Sequence, residues 1–300
     1  GLMLSFILSV GSLALFFGPG LEFGIDFTGG TLVEVQAPGT TVEDLRSSLQ
    51  QQSLGQAAIQ ESGAGGQYLV RLPMQDAEQV ATGAPVEALK TAVSSISADA
   101  SFPRVEMVGP KVSGDFVEAS IMAVLLAAAG MLVYLWIRFE YHFALAATLT
   151  IALDLTKTIG FFVLAGVEFN LTAVAALLAL IGYSINDKVV VFDRVRENLR
   201  LTPEKPLLEL LNESITSTLT RTVFTSLTTF LALLPMAIAG GAAVASFALP
   251  MLFGIVVGTS SSILIAAPIL FYLGQRRMRS GAAQLRPSAE QIRKELDLIP

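Results

Sequence analysis

Cysteine is absent from this 300-residue chain, which excludes a disulfide framework, a thiolate metal site and a cysteine nucleophile while leaving the redox compartment open. Histidine occurs once, at His142, too few for most zinc sites and no credible partner in a Ser-His-Asp hydrolase. No glycine loop of the GxxxxGK type occurs, so the chain has no phosphate cradle with which to hydrolyse ATP. Charge is sparse as well: 15% of residues are Asp, Glu, Lys or Arg against 53% hydrophobic, and the mean hydropathy is +0.64. A chain of that composition cannot face water on all sides. Its apolar residues gather in six runs, at about 2–18, 116–137, 141–166, 169–193, 222–239 and 246–273, each near or above the roughly 20 residues that cross a bilayer.

One stretch, between the first two runs, reads as soluble. It is acidic: residues 20–118 hold thirteen Asp and Glu against five Lys and Arg, which argues against a nucleic-acid partner. A strand at 31–36, a helix opened by Thr41 with Glu43 and Asp44 in its first turn, strands at 57–61 and 67–72, a helix at 85–97 and a strand at 104–108 follow in order. That is the β-α-β-β-α-β order of a ferredoxin-like fold. The expected fold class is therefore a polytopic α-helical membrane protein with six transmembrane helices and a small α+β ferredoxin-like domain. Its expected parts are a first helix (1–20), the α+β domain (21–115), a five-helix bundle (116–274) interrupted by a polar cytoplasmic segment (194–221), and a cytoplasmic tail (275–300).

Basic residues set the orientation, because cytoplasmic loops keep an excess of Lys and Arg. Arg138 follows the second run; Arg194, Arg196, Arg200, Lys205 and Arg221 lie between the fourth and fifth; Arg276, Arg277, Arg279, Arg286, Arg293 and Lys294 fill the tail. With six spans all of these fall on one side, both termini face the cytoplasm, and the acidic domain faces away from it. A cleaved signal peptide is the alternative for the first run; it would leave five spans and reverse that pattern.

Ionisable groups at membrane depth are costly and functional by default. The third run holds Asp154 and Lys157, three residues apart on one helix face, as an ion carrier or a static pair. In the fourth, Tyr183-Ser184-Ile185-Asn186-Asp187-Lys188 places Asp187 and Lys188 about 100° apart, so that they face different neighbours. Asp187 reads as a second carrier or as a wet group at the cytoplasmic end; Lys188 reads as a switching partner or as a side chain snorkelling to the headgroups. Asp193-Arg194-Val195-Arg196-Glu197-Asn198 alternates in sign, as a helix continuing into water does, and Arg221 reads as an interface anchor or a gate. The hydroxyls from Thr216 to Thr229, and Gly254 with Gly258 followed by Thr259 to Ser262, read as packing faces. Asp26 orients or caps a sharp turn at Gly29-Gly30.

Phe23-Gly24-Ile25-Asp26-Phe27-Thr28-Gly29-Gly30-Thr31, Val108-Gly109-Pro110-Lys111-Val112, Gly182 to Asp187, Val190 to Asn198, Thr220-Arg221-Thr222, Ser226 to Thr229 and Gly254 to Ser261 together resemble the SecF branch of the SecD/SecF family of bacterial protein translocase subunits, within the RND superfamily. The resemblance implies an inner-membrane protein with a periplasmic domain and no cofactor. It implies work with SecD beside the SecYEG channel, with YajC, YidC and the ATPase SecA in the holo-translocase, drawing unfolded preproteins across a lipid membrane with the proton-motive force. The coupling ion implied is H⁺, with Na⁺ the alternative. The family's membrane aspartate falls on Asp154, whereas Leu153 replaces a frequent histidine, Lys188 a frequent small polar residue, and Lys157 is an unusual charge for its span. A self-sufficient exporter of small molecules or lipids and a passive scaffold are the competing classes.

Overall fold

The computed structural model describes residues 1–61, 66–73, 83–202 and 205–279. The tail residues Arg286, Arg293 and Lys294, expected on the cytoplasmic side, lie outside the described residues.

Between α1 (Leu2–Phe17) and the long helices, a one-turn helix α2 (Ile25–Thr28) leads into β1 (Gly30–Gln36), α3 (Val42–Gln51), β2 (Ala58–Glu61), β3 (Gln67–Leu72), α4 (Ala84–Ile96) and β4 (Ser101–Val108). The sheet order is β2-β3-β1-β4, and every neighbouring pair runs antiparallel. Alternation along the strands sends Val33, Val35, Tyr68, Val70 and Leu72 to one face, where they pack with Leu45, Leu49, Leu89 and Val93 from α3 and α4. The other face sends Leu32 and Leu69 to Ile25 and Val108.

Local chemistry fixes the ends of these elements. Thr41 Oγ1 accepts from the Asp44 amide at 3.2 Å and Asp44 Oδ2 accepts from the Thr41 amide at 3.0 Å, a reciprocal capping box. The Thr41 hydroxyl and amide also hold the Asp44 carboxyl below its ordinary range. Gly29 and Gly30 have φ of 70° and 118°, a conformation that a side chain would strain, and they turn the chain from α2 into β1.

Among the described residues, five helices are long and apolar enough to cross a membrane: α5 (Pro110–Arg138), α6 (Tyr141–Ala165), α7 (Leu171–Leu201), α8 (Leu207–Ala239), and a last span, Ala243–Met278. The last is built from α9 (Gly241–Ser261), a π-helical segment (Ser262–Ala266) and α10 (Ala267–Arg279). The shorter α1 buries Ser5, Ser9 and Ser12 on one stripe and leaves Leu4, Phe6, Ile7 and Leu8 outside. That stripe lies on α6: Ser9 Oγ donates to the Leu153 carbonyl at 3.4 Å, and Ser12 sits against Gly160 so closely that a Cβ there would meet its Oγ at 2.2 Å.

Helices extend further than apolar run length predicts. The segment 194–221, expected to be polar and to open as a continuation of the fourth run's helix, holds the end of α7, out to Leu201, and the start of α8 at Leu207. Leu207, Leu210, Leu211, Ser214 and Thr218 form a buried stripe at helical spacing, so packing carries α8 through residues too polar to register as a span. Likewise α5 begins at Pro110, a first-turn proline, ahead of the apolar run expected from 116.

Candidate functional site

Asp154 sits in the middle of α6, buried at 5% exposure, and four donors from three helices converge on its carboxylate. Lys157, one turn further along α6, donates to Oδ1 at 3.1 Å. Oδ2 receives Lys188 Nζ at 3.0 Å and Ser184 Oγ at 3.0 Å from α7, and Ser261 Oγ at 2.6 Å from α9. Lys188 has no exposed surface; besides Asp154 it donates to the Ser184 carbonyl at 3.0 Å and contacts Ser184 Oγ at 2.7 Å and Ser261 Oγ at 3.1 Å. The snorkelling alternative is thereby overturned, because four oxygens inside the bundle draw the ammonium inward.

Glycines make this convergence possible. A Cβ on Gly254 would lie 2.2 Å from Leu180 Cδ2, and one on Gly258 would lie 3.6 Å from Ser184, so α9 runs close against α7 and brings Ser261 within reach. Immediately beyond Ser261 the helix takes its π-helical turn, a feature that often marks functional sites.

Asp187 stands apart from this cluster. It is 3% exposed, which overturns the wet reading, and its Oδ2 accepts from Thr259 Oγ1 at 3.4 Å. Thr259 in turn contacts Ser226 Oγ at 2.6 Å, which receives the Tyr183 hydroxyl at 3.2 Å. Most hydroxyls of α8 turn back onto their own helix, as Thr225 does to the Arg221 carbonyl at 2.8 Å. Asn186 is exposed and outside both groups; Arg221 is exposed as well, near enough to Asp187 for its charge to act on that carboxylate.

At the other end of α7, Asp193 binds Arg138 through both carboxylate oxygens at 2.7 Å and lies 3.8 Å from Arg196. Arg138 and Arg196 lie 5.1 and 5.7 Å from the Phe139 ring centroid, while Arg194 pairs with Glu197 at 2.6 Å. The alternating run is thus partly a knot between α5 and α7 rather than a solvated face.

Asp26 does not cap its own turn. Its Oδ2 accepts from the Leu171 amide at 2.9 Å, so it caps α7 from 145 residues away, beside Asn170, whose Oδ1 accepts from the Ala173 amide at 2.9 Å. The seam continues through Arg71 of β3, 3.4 Å from Glu168 and 3.9 Å from Glu22, and through Gln60, which donates to the Gly166 carbonyl at 3.0 Å. Burial raises the Glu168 carboxyl above its ordinary value, and the Arg71 guanidinium pulls against that rise. Beside this seam lies a cleft of about 560 Å³ lined by Gln60, Gln67, Leu69, Glu168, Ser246 and Leu249. Arg71, Gln60 and Glu168 carry no local signal in the sequence. Ser184 has one, since it lies one turn before Lys188 on the same face.

A bundle of membrane-crossing helices with charges locked at its centre and a small sheet docked on one end defines a multi-pass membrane protein of the transporter type. The match to known proteins is specific. Residues 88–276 match the family model "Protein export membrane protein SecD/SecF, C-terminal", and residues 14–37 match the SecD/SecF GG motif, which includes Gly29 and Gly30. The chain is 42% identical over 280 residues to the protein translocase subunit SecF of Cereibacter sphaeroides, covering 91% of this chain and 86% of that one. It is 39% identical over 272 residues to the subunit SecDF of Brucella abortus, covering 90% of this chain and 36% of that one. The crystal structure of SecDF from Thermus thermophilus, described as a translocon-associated membrane protein, superimposes with a TM-score of 0.82 at 36% identity, over 91% of this chain and 37% of that one. This chain belongs to the SecD/SecF family of protein-export membrane proteins, and it spans just over a third of the SecDF chains it matches.

Proposed function

We propose that this chain is the SecF subunit of a bacterial inner-membrane export machine that uses the proton-motive force to drive late steps of preprotein translocation. In this reading α1 is a sixth span, the bundle is half of an RND-like transporter, and the sheet domain is ferredoxin-like and periplasmic, with both termini in the cytoplasm. SecD supplies the other half; the Brucella relative, with its SecDF name and a chain only 36% covered by this one, supports that pairing. SecYEG, YajC, YidC and SecA are the further proposed partners, unfolded preprotein is the substrate, and the chain itself hydrolyses nothing.

The observation that carries the mechanism is the saturation of Asp154 by four donors, two of them lysines. An ionised carboxylate accepts only, so the arrangement fits the unprotonated state. Adding a proton to Oδ2, which already receives three donors, places an O–H where a donor stood, and at least one contact must break. Because the donors come from three helices, protonation and helix movement are linked. Each proton crossing about 180 mV releases about 4 kcal/mol, at roughly 2.3 kcal/mol per 100 mV, enough to invert a two-state equilibrium. Asp187, on its own hydroxyl chain, is a second carrier in the same scheme, with Lys157 and Lys188 as the groups that change partner.

The test is completion of preprotein translocation into inverted vesicles carrying the SecD partner and the channel, with and without a proton gradient. Asp154→Asn keeps the side-chain shape and is expected to assemble normally yet lose the gradient-dependent gain. An equal gain in wild type and variant refutes this assignment.

A further inference from the structure

Four oxygens converge on the Lys188 ammonium: Asp154 Oδ2 at 3.0 Å, the Ser184 carbonyl at 3.0 Å, Ser184 Oγ at 2.7 Å and Ser261 Oγ at 3.1 Å. A carboxylate, a main-chain carbonyl and two hydroxyls form a hard-oxygen set of the kind that replaces the water around a metal cation. The ammonium has three hydrogens for four oxygens, so it acts here partly as a compact point charge rather than through directed bonds. The chamber is closed off from outside solvent, with Lys188 at 0% and Asp154 at 5% exposure. The occupant's own charge sets the valence: Asp154 pairs with Lys157 on Oδ1 and Lys188 on Oδ2, so one monovalent ion in place of the Lys188 ammonium leaves the charge of the site unchanged.

We propose that Lys188 is the tethered occupant of an alkali-cation site, and that by filling it the lysine keeps Na⁺ and K⁺ away from Asp154 and leaves H⁺ as the ion that reaches the carboxylate. Only the second half rests on Asp154 as the coupling group; the cage itself is independent of export. The lysine is therefore a specificity-determining residue. It holds the site with a cation that cannot leave, whereas a small side chain at the same position opens the site to a mobile one.

The experiment follows thermal unfolding of the full chain in lipid nanodiscs, titrated with NaCl, KCl or choline chloride between about 1 and 100 mM at constant ionic strength. Wild type is expected to respond alike to the three salts. Lys188→Ala and Lys188→Ser are expected to gain a midpoint that climbs by several degrees with the logarithm of NaCl or KCl and stays flat in choline; whichever ion acts identifies the fit. The double variant Asp154→Asn/Lys188→Ala is expected to lose the response. The proposal is overturned if choline acts as well as the alkali ions, if neither single variant responds, if wild type responds selectively, or if neither single variant can be recovered folded in Na⁺ or K⁺ buffer. Translocation does not enter these readouts, so a failure of the export mechanism and a failure of the cage are seen separately.

Discussion

Gly160→Ala is expected to detach α1 from the bundle. A Cβ at this position would lie 2.2 Å from Ser12 Oγ, 2.5 Å from Ser12 Cβ and 2.9 Å from Ser12 Cα. The hydroxyl can rotate away, but Cα belongs to the backbone, so relief requires the two helices to move apart. Forcing one methyl into a closed contact costs about 1–3 kcal/mol. Against this, alanine in place of glycine favours a helix by about 0.8–1.0 kcal/mol, leaving a net loss of roughly 0–2 kcal/mol from overpacking alone. Separation adds to it, because the Ser9–Leu153 bond at 3.4 Å is already long. Gly182→Ala is the control: nothing lies within 4 Å of the Cβ it would add, so only the favourable term applies. The two variants are compared by thermal unfolding in nanodiscs and by protease access to the α1–α2 link. Gly160→Ala should fall below wild type and Gly182→Ala should match or exceed it, and Ser12→Gly should restore part of the Gly160→Ala loss. If Gly160→Ala is as stable as Gly182→Ala, the α1–α6 contact is not close, and the argument for α1 as a packed membrane helix loses its structural basis.

Asp26→Ala removes a cap from the first amide of α7 and is expected to cost about 0.5–2 kcal/mol, read as a lowered unfolding midpoint, with Asp26→Asn losing less because an oxygen remains. Glu168 has its carboxyl raised above the ordinary 4.5 by burial. A raised acid stabilises the folded form while it is protonated, fully so below the ordinary value, and that contribution is lost as pH rises through the folded value. Glu168→Gln is therefore expected to flatten the decline in stability with rising pH from the ordinary glutamate range upward, measured as unfolding midpoints across a pH series; an unchanged slope refutes the assignment.

What the sequence revealed divides along a physical line. Elements of residues 30–108 were legible because their signals are local: alternation in 67–72, and a Thr41 cap with Asp44 three residues on. Asp154 and Lys157 were legible as a pair for the same reason. Ser184 had a faint signal one turn before Lys188, and Gly254 with Gly258 marked a packing face, but that Ser184 and Ser261 meet Asp154 was not legible, because those contacts reach across 30 and 107 residues and local pattern does not say which helices close on one another. Lys188 stayed open between a switching partner and a snorkelling side chain, since hydropathy shows depth but not direction. Asp26 was noticed for its own turn and acts on a distant helix. The start of α8 escaped because apolar run length measures greasiness, whereas that helix is continued by one buried stripe.

The cap that Asp26 places on α7 also orders events during synthesis. The carboxylate leaves the ribosome 145 residues before the amide it binds, a delay of roughly 7 to 30 s at about 5–20 residues per second. Through that interval the sheet domain can complete its own core, since strands and covering helices all lie within residues 30–108, but it hangs from α1 and then α5 without its anchor to the bundle. Only when the link after α6 has emerged do Gln60 and Arg71 meet Gly166 and Glu168, and only with the start of α7 does Asp26 meet the Leu171 amide. The domain therefore matures first and is moored last, and any quality-control protease on that side of the membrane meets a folded but tethered module for the length of that wait.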